Sequence, residues 1–291
     1  MSVEAKSSLR AGIRRRMLWG LMPRLLRPVG GVRAGRGEAV AGKRILLTGA
    51  SAGVGRAAAL RLAAAGAELI LVARRGDELD RLSAEIAAAG GKAECRVCDL
   101  SDSEQIDELV SWVLGTYGSV DVLINNAARS IRRPLDESFD RMHDYRRTMA
   151  VNYFGAVQLT LGLLPAMVER GAGHVINVGT WTVAVDTSPR FTAYHASKAA
   201  LAGFGRSADG EMAGRGIAFT TIHYPLVHTA MSAPTERYRR LPGLTAEQAA
   251  EWLAHAIATR PVRMVPHYAA ALRLLGLVAP RAVDRILMRW A

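Results

Sequence analysis

The chain has 291 residues, half of them apolar, enough to bury the core of one large α/β domain with tails. Its formal charge of +12 is gathered at the ends: residues 1–44 carry eleven Lys and Arg against two acids, residues 260–291 six against one, and the stretch between is nearly neutral. A neutral body with two basic ends speaks against a nucleic-acid-binding domain, which carries its charge on the folded reading face, and suits an anionic membrane surface better.

Ile13, Met17, Leu18, Leu21, Met22, Leu25 and Leu26 fall at helical spacing, flanked by Arg10, Arg14, Arg15 and Arg16. The pattern reads as a short amphipathic helix interrupted at Pro23 or as a disordered basic tail. No secretory signal is expected; an Arg-rich, acid-poor transit peptide stays open for a eukaryotic source. Residues 30–42 read as a Gly-rich linker. From residue 43, strands are expected over 44–47, 68–73, 93–98, 122–124, 174–178, 217–222 and 262–265. Helices are expected over 53–65, up to 89, over 103–116, 138–170, 191–212 and 245–259. An irregular stretch covers 224–244, and helical segments finish the chain. Strict alternation implies a single α/β domain: a Rossmann-like, doubly wound parallel sheet of about seven strands with helices on both faces. The expected boundaries are a basic extension over 1–42, the sheet domain over 43–266 and a helical extension over 267–291. No apolar run reaches the roughly 18 residues of a spanning helix.

Cys95 and Cys98 have CxxC spacing, which invites a redox or zinc reading. Three residues of strand span about 10 Å, whereas a disulfide needs Cα atoms within roughly 7 Å. No second cysteine pair completes a zinc site, so core thiols in a reducing compartment and no metal are expected.

Thr48-Gly-Ala-Ser-Ala-Gly-Val-Gly55 follows the first strand and opens a helix. Gly49, Gly53 and Gly55 permit positive φ and close backbone approach, and the helix start offers free N–H groups to a pyrophosphate. The second strand ends in Arg74 and Arg75, where an NAD-binding chain has a carboxylate for the adenosine ribose. One charge-assisted hydrogen bond contributes about 1.5–3 kcal/mol, about 10- to 150-fold. NADP(H) is therefore expected over NAD(H); the plain alternative is a solvated arginine pair.

Tyr194-His-Ala-Ser-Lys198 puts a phenol and an ammonium at i and i+4, on one helix face. A cation about 5 Å away at an effective dielectric of about 20 contributes roughly 3 kcal/mol, or about two pKa units. Lys198 is thus expected to bring the phenol toward the range of general acid–base work.

TGxxxGxG followed by YxxxK resembles the short-chain dehydrogenase/reductase family, over residues 43–265. The resemblance implies Thr48, Gly49, Ser51, Gly53, Val54 and Gly55 as cofactor contacts, with Asp99 and Leu100 at the adenine. Asn126 and Ala127 lie in Asn125-Asn-Ala-Ala128, similar to the family's NNAG with alanine for glycine, and line the cofactor. Val227 and Thr229 fall at its carboxamide end. Asn152, Thr180, Tyr194 and Lys198 match the catalytic set, Thr180 replacing the usual serine one residue further upstream, with Thr182 as the alternative. Tyr194 is implied as proton donor, Thr180 as oxyanion partner, Lys198 as holder of the nicotinamide ribose, and Asn152 as support for a water-linked relay to Lys198.

A narrower resemblance appears in Arg129-Ser-Ile-Arg-Arg-Pro134, Glu137-Ser-Phe-Asp-Arg-Met-His-Asp144, Asn152-Tyr-Phe-Gly155, Pro225-Leu-Val227 and Ala233-Pro-Thr235. These are similar to bacterial fatty acyl-CoA reductases of short-chain dehydrogenase type. The implied substrate is a lipophilic carbonyl, a long-chain acyl-CoA or fatty aldehyde. Ketone, 3-oxoacyl or hydroxysteroid reduction is the alternative, and a nucleotide-binding pseudoenzyme the minor one. Arg132 and Arg133 read as contacts for CoA phosphates or as a solvated loop pair; His143 and His195 read as structural. A cytoplasmic homo-oligomer is expected, peripheral on the inner face of an anionic membrane through its basic ends; for the C-terminal helices the alternative is that they cover the substrate pocket or form a dimer contact.

Overall fold

The computed structural model describes residues 25–29 and 40–289. Of the expected amphipathic helix, residues 13–24 lie outside the described residues, as does nearly all of the linker. Eight strands form one sheet: β1 (Pro28–Val29), β2 (Arg44–Thr48), β3 (Glu68–Ala73), β4 (Lys92–Val97), β5 (Val122–Asn125), β6 (Gly173–Thr180), β7 (Ile217–Tyr224) and β8 (Arg263–Pro266). Their order is β1-β8-β7-β6-β5-β2-β3-β4. Every neighbour is parallel except β1, which pairs antiparallel with β8.

The helices are α1 (Gly53–Ala64), α2 (Gly76–Ala88), α3 (Ser103–Tyr117), α4 (Met142–Met149), α5 (Ala156–Arg170), α6 (Trp181–Ala184), α7 (Thr192–Met212), α8 (Ala246–Thr259), α9 (His267–Val278) and α10 (Pro280–Met288). Parallel strands covered on both faces read as continuous apolar runs, and β2 and β3 do. Ile45, Leu47, Leu69 and Leu71 share one core with Leu62 of α1, Leu79 and Ile86 of α2, and Leu253 of α8. Leu46, Ile70 and Val72 share the other with Ile106 and Val113 of α3 and Leu159, Leu163 and Met167 of α5. The edge strand β4 is half-exposed and carries Lys92, Glu94 and Arg96, charges that discourage further strand pairing. Cys95 and Cys98, in and just after β4, are free thiols.

The chain runs from β2 outward to β3 and β4, then returns to β5 on the other side of β2. That reversal opens a crevice beyond the carboxyl ends of β2 and β5, where doubly wound sheets bind ligands.

Three features differ from the expected elements. The helix expected over 138–170 starts only at Met142, after the 3-10 turn Leu135–Glu137, and a π-helical stretch, Ala150–Gly155, separates α4 from α5. The expected N-terminal extension supplies the two-residue strand β1, whose Val29 pairs with Val265. The expected C-terminal helices, for their part, turn Ala269, Val283 and Leu287 inward into one cluster with Ala184, Val185 and Val265, rather than leaving all their apolar residues to a surface. Trp181 and Tyr268 meet edge-on at 5.0 Å. The run Met142–Arg170 is long and apolar enough to cross a membrane by length and composition alone, but its Leu159, Leu163 and Met167 form sheet core.

Candidate active site

The loop between β2 and α1 is pinned from β5. The Thr48 hydroxyl donates to the Ile124 carbonyl (3.1 Å) and accepts from the N–H groups of Asn126 (3.0 Å) and Ala127 (3.1 Å). Asn126 Nδ2 donates to the Thr48 carbonyl at 2.9 Å. Gly49 has φ +68°, and a Cβ there would stand 2.8 Å from Ala127 Cα. At Gly55 a Cβ would stand 2.1 Å from the Gly49 carbonyl oxygen, so only glycine closes the turn. A Cβ on Gly53 would meet the Thr229 methyl at 3.2 Å, which brings the segment after β7 against the same loop. Val54 packs on the core beneath it. Helix α1 has no side-chain cap and no acid in its first turn, leaving its N–H groups to an outside acceptor. The bare backbone cradle and uncapped helix start fit the pyrophosphate of a dinucleotide.

At the end of β3, Arg75 reaches back to Ser51, Nη2 to Oγ at 3.1 Å. Arg74 is 63 % exposed, with Nη1 3.6 Å from Asp99 Oδ2. Against the opposing push of burial, the Ser101 N–H and hydroxyl and then Arg74 hold the Asp99 carboxyl below its usual range. Leu100 is buried beside it, and Gly155 of the π stretch lies so close that a Cβ would stand 2.0 Å from the Leu100 carbonyl oxygen.

Lys198 is 1 % exposed, and its Nζ donates to the Val178 carbonyl at 2.8 Å. Burial draws its pKa down from 10.5 to about 8. Tyr194, one helical turn earlier, is half-buried, and burial, with a smaller push from Tyr238, raises its phenol to about 12. The expected lowering of Tyr194 by Lys198 is therefore absent: the ammonium is turned to a backbone carbonyl, and desolvation of the phenol dominates. The Thr180 and Thr182 hydroxyls are 3.3 Å apart, so both candidates for the oxyanion partner stand together at the end of β6. Asn152 is fully buried in the π stretch. Its amide nitrogen donates to the Arg129 carbonyl and to Ser197 Oγ, both at 2.9 Å, and its oxygen accepts from the Arg129 N–H at 2.7 Å. Ser197 in turn donates to the Tyr194 carbonyl at 2.7 Å. Asn152 thus ties the loop after β5 to the helical turn that carries Tyr194, and π segments commonly occur at such sites.

The crevice has an aromatic rim absent from the expected site. Phe191 meets Tyr194 at 6.4 Å and stacks on Tyr238 at 6.4 Å. Tyr238 lies in the 3-10 turn Glu236–Arg240 and lines a cleft of about 240 Å³ with His228, Thr229, Ser232, Ala233 and Arg239. Val227 supports this segment through a parallel bridge to Leu244. A single aromatic in an irregular stretch carries no periodic signal, so Tyr238 was not legible in the sequence. His223, by contrast, is buried with Nδ1 3.1 Å from the Thr180 carbonyl, and burial lowers its pKa to about 4, which keeps it neutral.

Residues 43–239 match the family described as short chain dehydrogenase. A Mycobacterium tuberculosis protein named as a fatty acyl-CoA reductase is 50 % identical over 248 residues, 85 % of this chain and 84 % of its own. A fatty acyl-CoA reductase of Acinetobacter baylyi is 46 % identical over 251 residues, covering 86 % and 84 %. Among solved structures, a short-chain dehydrogenase from Streptomyces avermitilis superposes with a TM-score of 0.71 at 33 % identity, over 86 % of this chain and 97 % of that one. A metagenomic short-chain oxidoreductase in complex with NADP gives 0.66 at 29 % identity, over 77 % and 94 %. The glycine crevice, the Tyr194–Lys198 helix turn and these relatives agree: the chain belongs to the short-chain dehydrogenase/reductase family and is an oxidoreductase that uses a nicotinamide cofactor.

Proposed function

We propose that this enzyme is an NADPH-dependent reductase of long-chain acyl-CoA or the corresponding fatty aldehyde, with Tyr194, Lys198, Asn152 and Thr180 as its catalytic residues. The observation that carries the reading is the buried Lys198 ammonium on the Val178 carbonyl, one helical turn from Tyr194 and beside the Thr180 strand end. A phenol raised to about 12 stays protonated at neutral pH, so Tyr194 serves as the donor to the carbonyl oxygen of the substrate. Thr180 hydrogen-bonds that oxygen as charge develops. Lys198 holds a positive charge at the inner end of the crevice and would hold the ribose next to the nicotinamide, and Asn152 fixes the wall that carries Tyr194. When bound, NADPH supplies the hydride to the carbonyl carbon. From a thioester the product is a hemithioacetal; its C–S bond then breaks, CoA leaves as the thiol, and the aldehyde remains. The same residues would serve a ketone, and the names of the relatives favour the thioester.

The preference for NADPH rests on Arg74 and Arg75, which follow β3 directly at the chain position where an NAD-binding chain has its ribose-binding carboxylate. Titrating NADPH and NADH by fluorescence on wild type and Arg74→Ala tests it. NADPH should bind at least about tenfold tighter to the wild type, and Arg74→Ala should narrow the gap; equal wild-type affinities would remove NADPH from the reading. We further place the enzyme in the cytoplasm, peripheral on an anionic membrane, because α9 leaves Leu274, Leu277 and Val278 exposed beside Arg273 and Arg281.

A further inference from the structure

A buried carboxylate lies in α4, outside the catalytic residues, and no step above uses it. Asp144 is 3 % exposed, yet four basic side chains converge on it. Arg141 Nε is 3.2 Å and Arg133 Nε 3.4 Å from Oδ2, His143 Nε2 is 3.3 Å from Oδ1, and Arg147 bonds Oδ1 as well. Against the upward push of burial, Arg147 and Arg141 hold the carboxyl below its usual range. Arg133 comes from the loop after β5, and its N–H donates to the Arg190 carbonyl at 2.7 Å, so the cluster also fixes the segment entering α7. Next to it, the hydroxyls of Tyr145 and Thr192 are 2.7 Å apart. A small cleft lined by Arg133, Asp144, Tyr145, Arg190 and Thr192 opens here, two residues along the chain from Tyr194.

A carboxylate that merely pins a loop needs one cation, and breaking a buried pair is what costs stability. Here three guanidiniums answer one carboxylate. Their side chains are 34 %, 34 % and 45 % exposed, while that of Asp144 is 4 % exposed. The negative charge is thus hidden behind a fan of accessible positive ones. Residues 129–147 hold six arginines against four acids, and the turn Glu236–Arg240 adds three arginines against one acid. Arg132 and Arg237 both pull the Tyr238 phenol down against the upward push of burial, so basic groups from both segments reach the same aromatic rim. Guanidinium forks match phosphate oxygens in charge and geometry.

We propose that Arg133, Arg141 and Arg147, spread by the buried Asp144, bind the phosphates of the CoA portion of the substrate at the outer rim of the crevice. Asp144 is then a positioning residue. The proposal rests on the acyl-CoA reading above. The thioester lies inward at Tyr194, while the anionic part of the substrate stays at the rim, away from the α1 N-terminus offered to the dinucleotide pyrophosphate.

The test compares wild type, Asp144→Asn and the double variant Arg141→Gln/Arg147→Gln. Steady-state kinetics are run with long-chain acyl-CoA and with the matching fatty aldehyde at saturating NADPH, and free CoA is titrated calorimetrically into NADP-loaded enzyme. The double variant leaves Asp144 its Arg133 and His143 partners, and so keeps the test decisive if Asp144→Asn fails to fold. Its affinity for free CoA should fall about tenfold or more, and its KM for acyl-CoA should rise by a similar factor. Its kcat, and its KM for the aldehyde, should stay within about twofold. Wild-type binding of CoA should weaken as salt rises. Unchanged CoA affinity in the double variant, or an equal rise in KM for the aldehyde, would overturn the proposal while leaving the acyl-CoA reading standing. Loss of binding to anionic vesicles with CoA affinity retained would assign the arginines to lipid phosphate and overturn it as well. A wild type that neither binds CoA nor reduces acyl-CoA would remove the acyl-CoA reading itself.

Discussion

Burial moves Tyr194 and Lys198 in opposite directions, and the two shifts set the expected chemistry. A phenol at about 12 is a proton donor at neutral pH, so Tyr194→Phe should lose nearly all turnover while keeping NADPH affinity by fluorescence titration. Thr180→Val should lose less, about 3 kcal/mol or roughly a hundredfold in kcat; full activity in Thr180→Val with loss in Thr182→Val would transfer the oxyanion role to Thr182. Lys198 is depressed from 10.5 to about 8, so below pH 8 the folded protein holds a buried charge that the unfolded chain solvates freely. Between these two values the unfolded chain alone binds the proton, and stability rises with pH. Lys198→Met should therefore stabilise the protein at pH 7, by about 3 kcal/mol less about 1 kcal/mol for the lost bond to Val178. In urea unfolding the gain should shrink from pH 8 toward 10.5, and a gain independent of pH would contradict this origin. Sequence spacing put the ammonium and phenol on one helix face. It could not say that the ammonium turns to Val178, because that choice depends on where β6 ends.

At the scale of elements, the alternation of strands and helices was legible because buried parallel strands such as Leu69–Leu71 and amphipathic helices such as α2 carry distinct periods. The π stretch Ala150–Gly155 was not, since one inserted residue in a helix leaves the composition unchanged. Its position follows from packing: Gly155 must pass the Leu100 carbonyl. Gly155→Ala should cost about 1–3 kcal/mol or more, because backbone faces backbone there and neither side can rotate away. Gly203, exposed in α7 with nothing within 4 Å of a built Cβ, is the contrast. Gly203→Ala should stabilise by about 0.5–1 kcal/mol through the helix propensity of alanine. Urea denaturation of both variants measures the pair, and equal effects would refute the packing account.

Across the whole molecule, the antiparallel pairing of β1 with β8 brings the N-terminal segment to the same sheet edge as α9 and α10. Two residues of strand leave no pattern in a sequence, so the approach of residues 25–29 to the C-terminal helices became visible only in the fold. Arg237 also bonds the Arg289 carbonyl, which links the turn over the crevice to the end of the C-terminal helix. Each arginine near an anionic surface is worth about 1 kcal/mol, and the exposed Leu274, Leu277 and Val278 can insert shallowly. Co-sedimentation should show binding to anionic vesicles that weakens with salt. Deleting residues 1–24, which spares β1, should weaken binding without lowering turnover of a short soluble substrate; unchanged partitioning would remove the N-terminal segment from the contact. The reaction itself is measured most directly by the CoA thiol released per NADPH oxidised from long-chain acyl-CoA. Thiol release by the wild type that depends on NADPH and disappears in Tyr194→Phe is the result expected. NADPH oxidation on ketones with no thiol released from acyl-CoA would contradict it.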